Sequence, residues 1–159
     1  MTKTKLVINY QEYSSAEEMS AQDQELIAAA HEARKGSYSP YSNFQVGAAL
    51  RLENGVIVKG ANQENAAYPS GLCAERTAMF WAGANYPEVP FDTLAISASD
   101  HGEPCDFPAT PCGNCRQVMA EYQKKYGRPL KLILAGEKLI QKFEKVEDVL
   151  PFVFDSLKV

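Results

Sequence analysis

The chain has 159 residues, 45% of them hydrophobic and 23% charged, with a formal net charge of −4. Its length suits one domain with a sizeable core, and the composition is that of an ordinary soluble globular protein. An acidic balance without a basic stripe argues against a grip on DNA or RNA, no apolar run approaches the roughly 20 residues of a membrane span, and four cysteines are too few for a disulfide scaffold.

Residues 1–19 read as an extended lead-in in which Leu6, Ile8 and Tyr10 alternate as in a strand. The first ten residues lack the long apolar core of a signal peptide, so a cytoplasmic location is expected. Ser20 with Asp23 in the following turn marks a helix start. Leu26, Ile27, Ala30 and Ala33 then recur on one face, and Gly36 is placed to end the helix. His31 on that helix reads as a satisfied or exposed side chain rather than a ligand. A turn-rich loop, residues 37–44 with Pro40 inside it, leads to a strand at 45–52. Asn54-Gly55 is a hairpin signal, and residues 56–61 return as the partner strand. The small residues Gly47, Ala48 and Ala49 leave room for a helix or a ligand to approach closely, helix packing being the favoured reading. A polar loop at 62–71 runs into a helix from about Cys73 to Ala84, expected to carry Met79, Phe80 and Trp81 into packing. Residues 93–99 are a third strand, and the loop 100–110 holds His101, Cys105 and the breakers Gly102, Pro104 and Pro108. Cys112 opens a helix to about Tyr126, stopped by Gly127 and Pro129. Residues 130–134 and 139–143 supply the last two strands, and 146–150 a short helix that Pro151 ends. Helices alternating with strands imply an α/β fold: a three-layer α/β/α sandwich around a five-stranded sheet, mixed because the hairpin is antiparallel.

Chemistry concentrates in two stretches, Cys73-Ala74-Glu75-Arg76 and Pro111-Cys112-Gly113-Asn114-Cys115. Cys-x-x-Cys at a helix start puts two sulfurs on one side of a turn, where the helix dipole favours their deprotonation. The first stretch adds a third sulfur and a carboxyl that need not be a ligand. Zinc held by three protein ligands keeps a fourth position for water, whereas four ligands close the site. Zn²⁺ with three thiolates carries net charge −1, poor for acidifying water, so the thiolate charge needs weakening. Arg76, three residues after Cys73, is spaced to donate to its sulfur. Cys105 leaves a competing reading open, a closed four-thiolate site with no catalysis. Helical periodicity alone puts Glu75 on the face opposite Cys73.

These stretches resemble the zinc-dependent cytidine deaminases, whose signature is a Cys or His followed by x-Glu and then Pro-Cys-x-x-Cys. The resemblance extends over roughly residues 22–155. It includes Tyr38-Ser39-Pro40-Tyr41-Ser42-Asn43-Phe44 with Val46-Gly47-Ala48-Ala49-Leu50, Asn62-Gln63-Glu64-Asn65-Ala66, Tyr68-Pro69-Ser70-Gly71-Leu72 before Cys73, and Leu150-Pro151 with Phe154. It implies an N-terminal extension at 1–21 and one catalytic domain at 22–159 that hydrolyses free cytidine and deoxycytidine in nucleoside salvage. Cys73, Cys112 and Cys115 would bind one Zn²⁺ per chain, and Glu75 would shuttle protons. Phe44 would pack on the pyrimidine, Asn62 and Glu64 hold the sugar hydroxyls, the Ala74 amide meet the ring carbonyl, and the Thr110 carbonyl accept from the amine. It further implies a homotetramer in which Tyr68 and Phe154 approach a neighbouring site.

Overall fold

A computed structural model describes residues 1–155. The first ten carry no regular structure, and strand β1 is Gln11–Tyr13. Helix α1 is Ala21–Ala33; the Ser20 hydroxyl accepts the Asp23 N–H at 3.2 Å, and a 3-10 turn at Arg34–Gly36 ends it. Strand β2 (Phe44–Leu52) and β3 (Ile57–Ala61) form the hairpin around Asn54-Gly55, with Gly55 at φ +86°, a conformation glycine takes freely. Helix α2 is Ala74–Asn85, β4 is Phe91–Asp100, β5 is Glu103–Pro104 and α3 is Gly113–Tyr126. Strands β6 (Lys131–Ala135) and β7 (Ile140–Phe143) follow, then a 3-10 turn at Val146–Asp148 where an α-helix was expected.

The seven strands form one sheet in the order β1-β7-β6-β4-β2-β3, with β5 folded back on β4. Strands β4 and β6 run parallel, joined by α3; the other described pairs are antiparallel, so the sheet is mixed as expected. Among the described residues it has seven strands rather than five. The two additional ones are three and two residues long; β1 lies just past the alternation of Leu6, Ile8 and Tyr10, and Pro104 had marked β5 as a break.

Side chains alternate across a strand, so one sheet can feed two cores. Ala48, Leu50, Leu94, Ile96, Leu132 and Leu134 face α2 and α3, and pack with Met79, Ala78 and Met119. Ala49, Ala95 and Ile133 face the other way, onto Leu26, Ile27 and Ala30 of α1. That is the three-layer sandwich. Met79 is fully buried, but Phe80 and Trp81 are 43% and 51% exposed, against expectation. The α2 stripe is filled by Ala74, Ala78, Met79 and Ala82, which turns Phe80 and Trp81 outward.

Two glycines let helices lie close to the sheet. A Cβ on Gly47 would collide with the α1 backbone at Ala30, and one on Gly60 would stand 2.5 Å from Ala78 N and 2.6 Å from Ala74 O of α2. Among the described residues no helix is long and apolar enough to cross a membrane.

Candidate active site

Helices α2 and α3 bring their N-terminal ends together, so that the cysteines at the two helix starts cluster. Cys73 is the residue before α2 and Cys112 the residue before α3; both have extended backbones, and Cys115 follows in the first turn of α3. The sulfurs of Cys73 and Cys112 lie 3.8 Å apart and those of Cys112 and Cys115 3.5 Å apart. All three fall within 4.8 Å of one another. Tetrahedral zinc with bonds of about 2.3 Å places its sulfurs ~3.8 Å apart. The three residues fit zinc. Cys105 stands outside the cluster: its N–H donates to Ala98 O beside β5, and its carbonyl accepts the Glu137 N–H. The closed four-cysteine reading is thereby overturned, and the described cage keeps a fourth position for a non-protein ligand.

Proton sharing among these groups sets their titration. The Cys115 thiol donates toward Cys73; against the opposing effect of burial, that bond and the Arg76 guanidinium bring Cys73 down to about 5, while the same pairing pushes Cys115 up. Arg76 Nη2 lies 3.8 Å from the Cys73 sulfur, as its spacing suggested. Its Nε is buried without a partner among the described residues. Glu75 is only 4% exposed. Burial raises its carboxyl above the usual range, as does the charge on Cys73. Periodicity had set Glu75 apart from the metal. But Cys73 is not inside the helix, so the rule of opposite faces does not apply, and Glu75 and Cys73 line the same cavity.

That cavity has a volume of about 600 Å³. Phe44, Asn62, Glu64, Tyr68 and Thr110 border it, with Arg76 beside the sulfurs. Ala74 is fully buried as the first residue of α2. Tyr68 stands at the rim, 80% exposed. Phe154 is exposed and does not border the cavity; its carbonyl accepts from Gln117 Nε2 at 2.7 Å. Sequence reasoning gave no site role to Val46, Leu72 and Ile96, which give the cavity apolar wall, or to Ser42, which also borders it. It also passed over Arg116, whose guanidinium donates to Pro111 O and Val149 O at 2.8 and 2.7 Å and ties the cysteine loop to the C-terminal segment.

Asn62 and Glu64 are held firmly. Asn62 Oδ1 accepts from Val46 N–H at 2.8 Å and Ser37 Oγ at 2.6 Å, and its Nδ2 donates to Phe44 O at 2.9 Å. Glu64 Oε2 accepts from the Tyr41 and Ser42 amides at 2.9 and 3.3 Å. The Glu64 carboxyl stands below its usual range, chiefly through the Ser42 hydroxyl and then the Tyr41 amide, and is an ionised acceptor at neutral pH.

An open cage of three thiols beside a buried carboxyl, both bordering one cavity, is the layout of a metal-assisted hydrolytic site. Residues 20–126 match the model of the cytidine and deoxycytidylate deaminase zinc-binding region. The cytidine deaminase of Halalkalibacterium halodurans is 51% identical over 98 residues, 62% of this chain and 70% of that protein. A crystal structure of cytidine deaminase from Burkholderia pseudomallei superposes with a TM-score of 0.70 at 40% identity, covering 86% of this chain and 100% of that one. The blasticidin-S deaminase of Bacillus cereus is 30% identical over 107 residues, 65% of this chain and 75% of that protein. The chain belongs to the cytidine and deoxycytidylate deaminase family, and it is a zinc-binding hydrolytic deaminase.

Proposed function

We propose that this enzyme converts free cytidine and deoxycytidine, with water, to uridine and deoxyuridine plus ammonia, as a cytoplasmic step of pyrimidine salvage. The observation that carries the reading is the placement of buried Glu75 beside the three-thiol cluster, in a cavity that Asn62 and Glu64 also border.

Cys73, Cys112 and Cys115 would hold one zinc ion per chain. When bound, zinc supplies a Lewis acid that acidifies a water molecule at its open position. Glu75 would take one proton of the attacking water on its carboxylate and pass it to the ring nitrogen beside the amine-bearing carbon; it would then take the second proton, from the hydroxyl added to that carbon, and give it to the departing amine. A carboxyl whose affinity for protons is raised by burial suits both halves of the cycle. Arg76 would draw charge from the Cys73 sulfur and so keep a bound metal electrophilic. Phe44 covers the ring. The Ala74 amide, at the positive end of α2, donates to the ring carbonyl, and the Thr110 carbonyl accepts from the amine.

Glu64 accepts from a sugar hydroxyl, and Asn62, its oxygen already used twice, offers that hydroxyl a donor. This pair favours a substrate with ribose hydroxyls over another aminopyrimidine that lacks them, such as a nucleoside antibiotic. Tyr68 and Phe154, 80% and 63% exposed, support a homotetramer in which each meets a neighbouring subunit. The test is the fall in cytidine absorbance on adding purified protein, with zinc measured per chain. Turnover with one zinc per chain is expected; a zinc-loaded protein inert toward cytidine and deoxycytidine sinks the reading.

A further inference from the structure

The hydroxyl of Ser42 makes two bonds at the mouth of the cavity. It accepts the Phe44 N–H at 3.0 Å and donates to Glu64 Oε1 at 2.5 Å. A hydroxyl has one proton, and a neighbour that donates to its oxygen leaves that proton for an acceptor. The Phe44 amide therefore turns the Ser42 proton onto Glu64. An ionised carboxylate offers about four acceptor positions. The Tyr41 amide, the Ser42 amide and the Ser42 hydroxyl occupy three.

The surrounding backbone is arranged to keep this geometry. Asn43 is left-handed, with φ +56°, which asparagine tolerates better than most residues. Its carbonyl accepts the His101 N–H at 2.9 Å, and its own N–H donates to Ser39 O at 3.0 Å. The chain therefore turns sharply between Ser42 and Phe44, and this brings the Ser42 hydroxyl onto the Phe44 amide. The Phe44 carbonyl is meanwhile held by Asn62 Nδ2.

We propose that Ser42 is a positioning residue for nucleoside recognition: its hydroxyl fixes the rotation of the Glu64 carboxylate, so that the one remaining acceptor position faces the sugar hydroxyl before substrate arrives. The inference rests on the proposed reading of Glu64 as the group that accepts from the sugar. Ser42 does not touch the reacting atoms, and its contribution lies in binding rather than in the chemical step.

The experiment measures KM and kcat for cytidine and for 2′,3′-dideoxycytidine with wild type, S42A, S42T and E64A, alongside zinc content and melting temperature. Ser42 is exposed, and S42A is expected to fold and hold zinc as wild type does. For cytidine, S42A raises KM about tenfold, the scale of one hydrogen bond to a charged group, with kcat within about twofold. S42T, which keeps the hydroxyl, recovers most of that loss. With dideoxycytidine, which has no 2′- or 3′-hydroxyl, S42A shifts KM by less than about twofold. An equal KM rise on both substrates, or a fall in kcat at unchanged KM, shows that Ser42 merely supports the loop and overturns the proposal. E64A separates the two levels of the argument. If it leaves the preference for cytidine over dideoxycytidine intact, the reading of Glu64 fails, and the role given to Ser42 falls with it.

Discussion

Replacing Gly60 by alanine tests whether the close seating of α2 on β3 is what sets the metal site. The new Cβ would stand 2.5 Å from Ala78 N and 2.6 Å from Ala74 O, where ordinary contacts begin at 3.4 Å. Both atoms belong to helix backbone, so no side chain can swing aside, and the first turn of α2 must retreat by about 0.9 Å. Overpacking of this kind costs about 1–3 kcal/mol. For a chain of this size that lowers the melting temperature by roughly 2–12 °C. The displaced turn carries Ala74 and Glu75 and is entered from Cys73. Misplacing a catalytic group by an ångström costs about 100-fold. G60A should therefore melt lower, turn over cytidine about 100-fold more slowly and bind zinc less tightly. The control is G113A: Gly113 lies between two of the cysteines, yet its Cβ would meet nothing within 4 Å. Calorimetry, zinc analysis and the absorbance assay on both variants decide the matter. A G60A protein with wild-type melting and turnover would refute the claim that the helix seat sets the site.

Glu75→Gln keeps the shape of the side chain and removes its proton chemistry; turnover should fall by at least about 1,000-fold with zinc content unchanged, and near-normal turnover would end the proton-shuttle role. Cys105→Ser should leave both zinc content and activity intact, whereas loss of the metal would return Cys105 to the site. Asp23 meets Lys142 at 2.8 Å and Arg51 at 3.2 Å with its side chain 6% exposed. Burial alone would raise its carboxyl, but the Lys142 ammonium and the Arg51 guanidinium outweigh burial and hold it below the usual range. A depressed carboxyl contributes stability that is complete above its unfolded value of about 3.9 and is lost as the pH falls through its folded value. Asp23→Asn should thus destabilise the protein by about 2 kcal/mol at pH 7, and the gap between the two melting curves should narrow as the pH is taken down from about 3.9 to the lowest value at which the fold survives. A gap that stays constant down to that pH would contradict the ion-pair account.

The cysteine cage was legible because its signals are local: Cys112 and Cys115 sit one turn apart, and Cys73 opens the next helix motif. The same locality misled on Glu75. Counting residues assumed that Cys73 lies within the helix, and its extended backbone (φ −71°, ψ 153°) is what removes the conflict. Phe80 and Trp81 are apolar by type, yet a stripe already filled by alanines and Met79 leaves them outside, a result of packing that no single residue announces. Nothing near Ser42 in the sequence marks Glu64, 22 positions further on, as its partner. The two added strands escaped for a related reason. Their lengths fall below any periodic signal, and β1 finds its place only against β7, where Gln141 Nε2 reaches Glu12 Oε1 across 129 positions.

That pairing has a consequence for how the molecule is made. Strand β1 lies against residues 140–142, with the Tyr10 ring stacked 5.2 Å from that of Phe143. Synthesis runs from the N-terminus, so β1 leaves the ribosome long before the β7 residues it pairs with, 129 positions later for Glu12 and Gln141, and waits for them before it can settle. The rest of the sheet can assemble without it. Until β1 docks, the outer edge of β7 offers unpaired backbone to any neighbouring chain. The slow, long-range closure of this edge leaves the nascent enzyme open to edge-to-edge aggregation until it is complete.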